Sequence, residues 1–490
     1  MTPSAEPLPA APPALDAPPL GTGPRPAATG EPPAPKAPAR KLALWSLTWP
    51  LFVEQGLRIS IGTVDTLMVS RVSDNAVAAL GVAWQVIILT LILFNFIGIG
   101  SSVVITHHLG AGDRAGADRI ARAAVGVNTW MGVGMSLLIG GLSSQLLGLM
   151  QLPSTLYVYA VPFLTLVGGS LFLDAQSMAL TATLRAHGHT RPVMLVMGAQ
   201  NALNAIGNAL LLFGLFGLPK LGVTGVALSS IVSRALCLLV MHLLVRRATG
   251  LHVSFGDYFR LPMLEVRRML RIGLPAAGEN VCYWTALMVV TTFNARLGEE
   301  SLAAAAYAMQ IMGWVIVFAD SIGLGTEIMI GHLIGLGDLE RAYRELLRSL
   351  RLGILLACVA SVLVALAAPA IAAAFTTHAG TAVLIVSVLR LGMLLEPGRV
   401  FNIVVINALR ATGDARFPLL CAMASMWGVW VPLAWLLGLH LGWGLPGVWF
   451  AMCCDEWLRG MLMYRRWKRR SWVAHAMHSR QALSAAATTG

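Results

Sequence analysis

Residues 107–113 read His-His-Leu-Gly-Ala-Gly-Asp, and 225 positions later, at 332–338, the chain reads His-Leu-Ile-Gly-Leu-Gly-Asp. The same offset of 225 pairs Pro50 with Pro275, Glu54 with Glu279, Gln85 with Gln310, Gly98 with Gly323, Leu184 with Leu409 and Arg185 with Arg410. It drifts to 222 at Gly222/Gly444 and Gly225/Gly447. A register kept over so long a stretch marks an internal duplication. The second copy also decides between two readings of the first. His108 and Asp113 alone fit the H-x4-D spacing of acyltransferases, in which His is the base. The element that both copies keep is H-x2-G-x-G-D, a helix exit followed by a glycine turn whose Asp caps the next helix.

The medium of the duplicated unit follows from composition. Hydrophobic residues make up 57% of the chain and charged residues 12%, with a mean hydropathy of +0.72, where a soluble domain carries about 25% charge. Apolar stretches of roughly 20 residues match the bilayer core. Spans are expected at 43–69, 78–105, 120–147, 155–183, 192–217, 222–245, 269–295, 302–330, 346–374, 380–408, 416–439 and 445–464. The expected fold is an all-α integral membrane protein, twelve transmembrane helices in two parallel six-helix lobes. Six spans per copy give the copies the same orientation, a transporter architecture.

The expected organisation is a Pro/Ala-rich cytoplasmic tail at 1–41, an N-terminal lobe at 42–245, a lobe linker at 246–268, a C-terminal lobe at 269–467 and a basic tail at 468–490. The first 40 residues hold 13 of the 25 prolines, a composition that reads as disordered. Of the 35 Lys and Arg, 28 fall in the N-terminal tail, the even-numbered connections, the C-terminus and the span ends that adjoin them, and three in the odd connections: Arg71, Lys220 and Arg296. The positive-inside rule then puts both termini in the cytoplasm. It also accounts for the net charge of +12 by anionic headgroups, without nucleic acid. The six cysteines lie in apolar spans, with neither a disulfide framework nor zinc spacing.

Ionisable residues inside spans carry more information, because a charge in hydrocarbon is costly and persists only when paired, hydrated or functional. The candidates are Glu54, Asp65, Asp174, Glu279, Asp320, Glu327 and Glu396. Glu54 and Arg58 are four apart, and Glu396 and Arg399 three apart, so each can form an internal ion pair. Asp65 has no basic neighbour at helical spacing, which suits a carboxylate that binds and releases a proton or sodium ion. Asn204 and Asn208, one turn apart, present amides to one face; they either bond neighbouring helices or complete a cation site with Asp65. Glu54, Gln85, Glu279, Gln310, Asp320, Glu327 and Glu396 are taken as candidates for a substrate cavity between the lobes.

The stretches WPLFVEQGLRISIGTVDTLMVSR (49–71) and GLPAAGENVCYWTALMVVTTFNARLG (273–298), the two glycine turns, and LRAHGHTRP (184–192) with LRATGDARFP (409–418) together resemble the multidrug and toxic compound extrusion (MATE) family of antiporters. The likeness covers about residues 42–470. It implies export of cationic or amphipathic organic compounds in exchange for protons or sodium, with no other cofactor and no enzymatic step. It also implies a monomer in the bacterial inner membrane. By the same likeness Asp65 takes the place of the family's first-helix acid, with Asn204, Asn208 and Asp174 as further coupling residues. Arg399 and Tyr283 stand where one branch has Asp and Glu, so that branch's sodium site in the second lobe does not carry over. The nearest rival is a lipid-linked oligosaccharide flippase of the same superfamily, whose cavity is commonly basic. A membrane-embedded acyltransferase built on His108 and Asp113 is the rival from another class.

Overall fold

The computed structural model describes residues 43–488, and every regular element among them is helical. The Pro/Ala-rich stretch lies outside these residues. The first repeat forms α1 (Leu44–Val69), α2 (Asp74–Ala111), α3 (Arg114–Gly141), a bent α4 (Ser154–Gly169 and Leu171–Ala186), α5 (Thr190–Phe213) and α6 (Val223–Thr249). The second forms α7 (Met263–Arg296), α8 (Glu299–Leu336), α9 (Leu339–Phe375), α10 (Ala379–Ala411), α11 (Arg416–His440) and α12 (Gly444–Lys468). Twelve helices in two six-helix lobes are thus present in the expected order. Two edges differ from the sequence expectation. The linker between α6 and α7 is shorter, because both helices extend into it. The basic C-terminus contains a further helix, α13 (Val473–Thr488).

Length and apolarity alone qualify eight of the described helices as membrane spans, and nine with the two parts of α4, which meet at 43°. The three that fall short, α1, α7 and α12, carry Glu54, Arg58 and Asp65; Glu279; and Asp455, Glu456 and Arg459. Of these, Glu54, Asp65, Glu279, Asp455, Glu456 and Arg459 are buried within the protein, as a hydrocarbon environment requires.

The duplicated turns do what their sequence specifies. Gly112 and Gly337 end α2 and α8 with φ of 81° and 86°, a left-handed conformation that only glycine adopts without strain. Asp113 then accepts a hydrogen bond from the Gly116 amide at 2.8 Å, and Asp338 one from the Arg341 amide at 3.0 Å. Asp113 also receives the His108 ring at 2.8 Å. Burial alone would raise the Asp113 carboxyl, but the Gly116 amide and the His108 ring outweigh it and hold the group below the ordinary carboxylate range. His108 is 1% exposed, so this His–Asp pair fixes a helix turn and offers a substrate no access.

The glycines of the same motifs bring the lobes into contact. A Cβ on Gly110 would lie 2.1 Å from the His332 carbonyl oxygen, and one on Gly335 would lie 2.1 Å from that of His107. Gly331 faces Thr106, Gly100 faces the Met269 backbone, and Gly325 faces Thr48. Thus α2 crosses α8, α1 packs on α8, and α7 packs on α2, all near the end of the bundle that carries the basic connections. Two hydrogen bonds span this crossing in a pseudo-twofold pattern. His107 Nε2 meets the Ala411 carbonyl at 2.6 Å, and His332 Nε2 meets the Ala186 carbonyl at 2.7 Å. Both partners of the first bond are 225 residues from those of the second.

Adding one methyl group at this crossing is expected to be costly. Gly110→Ala should destabilise this helix crossing by about 1–3 kcal/mol through overpacking. A cysteine probe at the basic end of α2 should then react faster with a thiol reagent than in the parent protein; an unchanged rate would show that the crossing tolerates the added methyl group.

Candidate functional site

Asp65 lies within the first lobe, on the part of α1 away from the basic end. It is fully buried. Its Oδ1 accepts a hydrogen bond from Asn208 Nδ2 on α5 at 2.6 Å, while Oδ2 has no partner. Asn208 also reaches Asn204 Oδ1 at 3.3 Å, and Asn204 donates to Ser230 Oγ on α6 at 3.0 Å. Ser229 closes the chain by donating to the Asn204 carbonyl at 2.9 Å. The structure therefore brings Asp65, Asn204 and Asn208 together, as a carboxylate at the end of a buried amide and hydroxyl network. The Asn208 Oδ1 atom is also buried without a partner. Two oxygen acceptors with free lone pairs suit a proton or a hard monovalent cation. Among the described residues, no three His, Cys, Asp or Glu side chains gather as a metal site would require.

Asp174 occupies a neighbouring position. It forms an ion pair with Arg234 of α6 at 2.7 Å. Both line a cavity inside the first lobe with Arg58, Trp84, Gln200 and Met241. Ile61, one turn before Asp65, lines the same cavity, so the cavity wall ends close to the coupling candidate.

Glu54 and Glu279 have a different environment. Glu54 is fully buried and is held by Arg185 at the end of α4, with Arg58 at 3.4 Å as a second partner. Glu279 is held by Arg410 at the end of α10 at 2.7 Å. The two pairs are 225-residue copies of one another, so each lobe ties its first helix to the end of its fourth by the same ion pair. Gln85 and Gln310 are exposed, and Asp320 is half-buried with no hydrogen bond. Glu327, 1% exposed, has no hydrogen-bond partner.

Glu396 belongs to a cluster in the second lobe that the sequence reading grasped only in part. Arg399 binds Glu396 at 2.8 Å, as their spacing predicts. Beside them, Arg459 binds Asp455 and Glu456 at 2.8 Å each, Asn402 donates to Glu456 at 2.7 Å, and Ser425 donates to Asp455 at 2.5 Å. Three carboxylates thus share two guanidinium groups in a buried site. Asp455, Glu456 and Arg459 were missed, although an Asp-Glu-x-x-Arg run within an apolar span is a signal of its own. The two lobes also differ by a charge reversal. Asp174 and Arg234 of the first lobe correspond to Arg399, at an offset of 225, and Glu456, at 222.

Comparison with known proteins decides what kind of molecule holds these groups. The MatE family model matches residues 50–210 and again 275–436, one match per lobe. The chain belongs to this family. It is similar to "Uncharacterized transporter YisQ" of Bacillus subtilis (strain 168), with 39% identity over 90% of this chain and 97% of the relative. It is also similar to "Probable multidrug resistance protein NorM" of Rhodopseudomonas palustris, with 29% identity over 87% of this chain and 91% of that protein. Among solved structures, a MATE crystal structure in the bent conformation superposes with a TM-score of 0.82 at 20% identity, covering 89% of this chain and 96% of that one. An outward-facing multidrug resistance MATE transporter of the MOP superfamily superposes with a TM-score of 0.80 at 20% identity, over 88% and 96%. The chain is a MATE transporter, a multi-pass membrane protein with the MATE fold.

The duplicated ion pairs generate a stability prediction. Arg185→Met leaves Glu54 buried with only the longer Arg58 contact, which should cost about 3 kcal/mol or more. Glu54→Gln combined with Arg185→Met should recover most of that loss. Thermal unfolding of the purified protein in detergent measures the cycle; additive losses in the double variant would show that the two residues do not act as a pair.

Proposed function

We propose that this MATE transporter is a secondary active antiporter that exports cationic or amphipathic organic compounds in exchange for protons or sodium. The observation that carries this reading is Asp65: a fully buried carboxylate with one oxygen bonded to Asn208 and the other free. A structural carboxylate in a membrane protein is paired with a cation, as Glu54, Glu279 and Glu396 are here. Asp65 has a neutral amide in place of such a partner, so a coupling cation supplies its charge balance. Asn204 and Asn208 position it, and the Asp174–Arg234 pair in the adjoining cavity responds to the charge that it gains or loses.

The basic end of the bundle is cytoplasmic on this reading, by the positive-inside rule, with both termini in the cytoplasm of a bacterial cell and the helices in its inner membrane. The cross-lobe contacts then close the cytoplasmic side, so the substrate path faces outward. The likeness to probable multidrug resistance proteins such as that of Rhodopseudomonas palustris supports a multidrug-type substrate. A flippase for lipid-linked oligosaccharides calls for a basic cavity, whereas the buried arginines named here are each matched by a carboxylate.

Asp65→Asn is expected to abolish ion-driven efflux of a fluorescent organic cation from proteoliposomes, with sodium and pH gradients imposed separately. The gradient that drives the parent protein identifies the coupling ion. Full ion-driven efflux by the Asn variant would refute the assignment.

A further inference from the structure

Glu327 is the one fully buried carboxylate of those considered above that binds neither an arginine nor an amide. It lies on α8 between Gly325, which packs on Thr48 of α1, and Gly331, which packs on Thr106 of α2. Ile328, next to it, joins Leu44 and Leu47 of α1 in a common apolar cluster. One helical turn separates Glu327 from Gly331, which places both on the same side of α8, toward the crossing with α2. The nearest cationic influences on it come one from each lobe, Arg185 and Arg410. Each is already held by its own carboxylate, Glu54 and Glu279 respectively. The imidazoles of the crossing, His107 and His332, are turned to the Ala411 and Ala186 carbonyls.

An anionic carboxylate buried without a donor is costly, whereas its neutral form loses far less on leaving water. The sequence makes this group specific to one lobe. At the same offset of 225, the first lobe has Ser102, a neutral side chain in the equivalent place. Closing the lobes at the basic end therefore buries one ionisable carboxyl group, its Oε1 without a hydrogen-bond partner, that the duplication does not require.

We propose that Glu327 is a proton-binding site of the gate between the lobes, which takes up a proton from water at the basic end as the lobes close and returns it when they part. The step makes and breaks a single O–H bond on the carboxyl group, with water as donor and acceptor. Glu327 exchanges its proton only on the side where the crossing opens, so it is distinct from the coupling carboxylate Asp65. Acid on that side favours the closed gate, and alkali favours the open one. This inference rests on the antiporter reading given above, in which the cross-lobe contacts close the cytoplasmic side, but not on Asp65 as the coupling site.

The test uses Thr106→Cys, a buried position at the crossing, as a reporter in the full-length protein in everted vesicles, with labelling by a membrane-impermeant maleimide. Labelling of the parent without this cysteine is subtracted. The readout is the labelling rate with Glu327 divided by the rate with Glu327→Gln at the same pH, which cancels the reagent's own pH dependence. This ratio should rise from near one at about pH 6 to several-fold at about pH 8, since linkage to one proton changes a two-state ratio by up to about tenfold per pH unit. Glu327→Leu, neutral and of similar size, should give the same result as the Gln variant and serves if that variant does not fold. Asp65→Asn should abolish ion-driven efflux yet leave the pH dependence of the ratio intact, which separates the two readings. A ratio that stays flat with pH, or Gln and Leu variants whose labelling keeps the pH dependence seen with Glu327, would overturn the proposal.

Discussion

The crossing of α2 and α8 depends on the absence of side chains. At Gly110 and Gly335 the two helix backbones approach so closely that a single Cβ on either would overlap a carbonyl oxygen of the other helix. Without a hydrophobic driving force between helices in lipid, such contact is what holds them together. The approach also brings His107 and His332 within reach of carbonyls in the opposite lobe. One short motif, used twice, thus ends a helix, caps the next, sets the helix spacing and closes one end of the molecule.

Within each lobe, ion pairing sets the positions of the helices. Glu54 with Arg185 and Glu279 with Arg410 join the helix that opens each lobe to the end of its fourth helix. A charge in hydrocarbon needs its partner more than a surface charge does, so these pairs fix geometry even if their net contribution to stability is modest. Because the Ala186 and Ala411 carbonyls directly follow Arg185 and Arg410, the pairs inside the lobes and the histidine bonds between them form one connected framework.

Against that symmetric framework the lobes differ in chemistry. The first leaves Asp65 among amides and hydroxyls, beside a cavity containing the Asp174–Arg234 pair. The second replaces Asp65 with Val290, reverses the charges of the pair, and gathers three carboxylates around two arginines. Duplication supplied the scaffold, and divergence at a few buried positions supplied the difference between the halves.

The order of twelve helices, the two lobes and the caps at Asp113 and Asp338 were legible in the sequence, because hydropathy, a repeat register and turn chemistry are all local or periodic signals. So were the Glu396–Arg399 pair, through its helical spacing, and the isolation of Asp65 from any basic neighbour on its own helix. Contacts between distant segments were not legible in the same way. Glu54 was assigned to Arg58 by spacing, yet Arg185, 131 residues away, holds it as well. The repeat register contained a hint of this, since Glu54 and Arg185 recur together as Glu279 and Arg410. The sequence by itself determined which residues are too polar to face lipid. Only the tertiary structure decided which of them satisfy one another, because in a helical bundle the partner of a buried charge is set by helix packing, not by distance along the chain. That packing pairs Glu54 and Glu279 with arginines, gives Asp65 an amide, and leaves Glu327 at the lobe crossing with no partner at all.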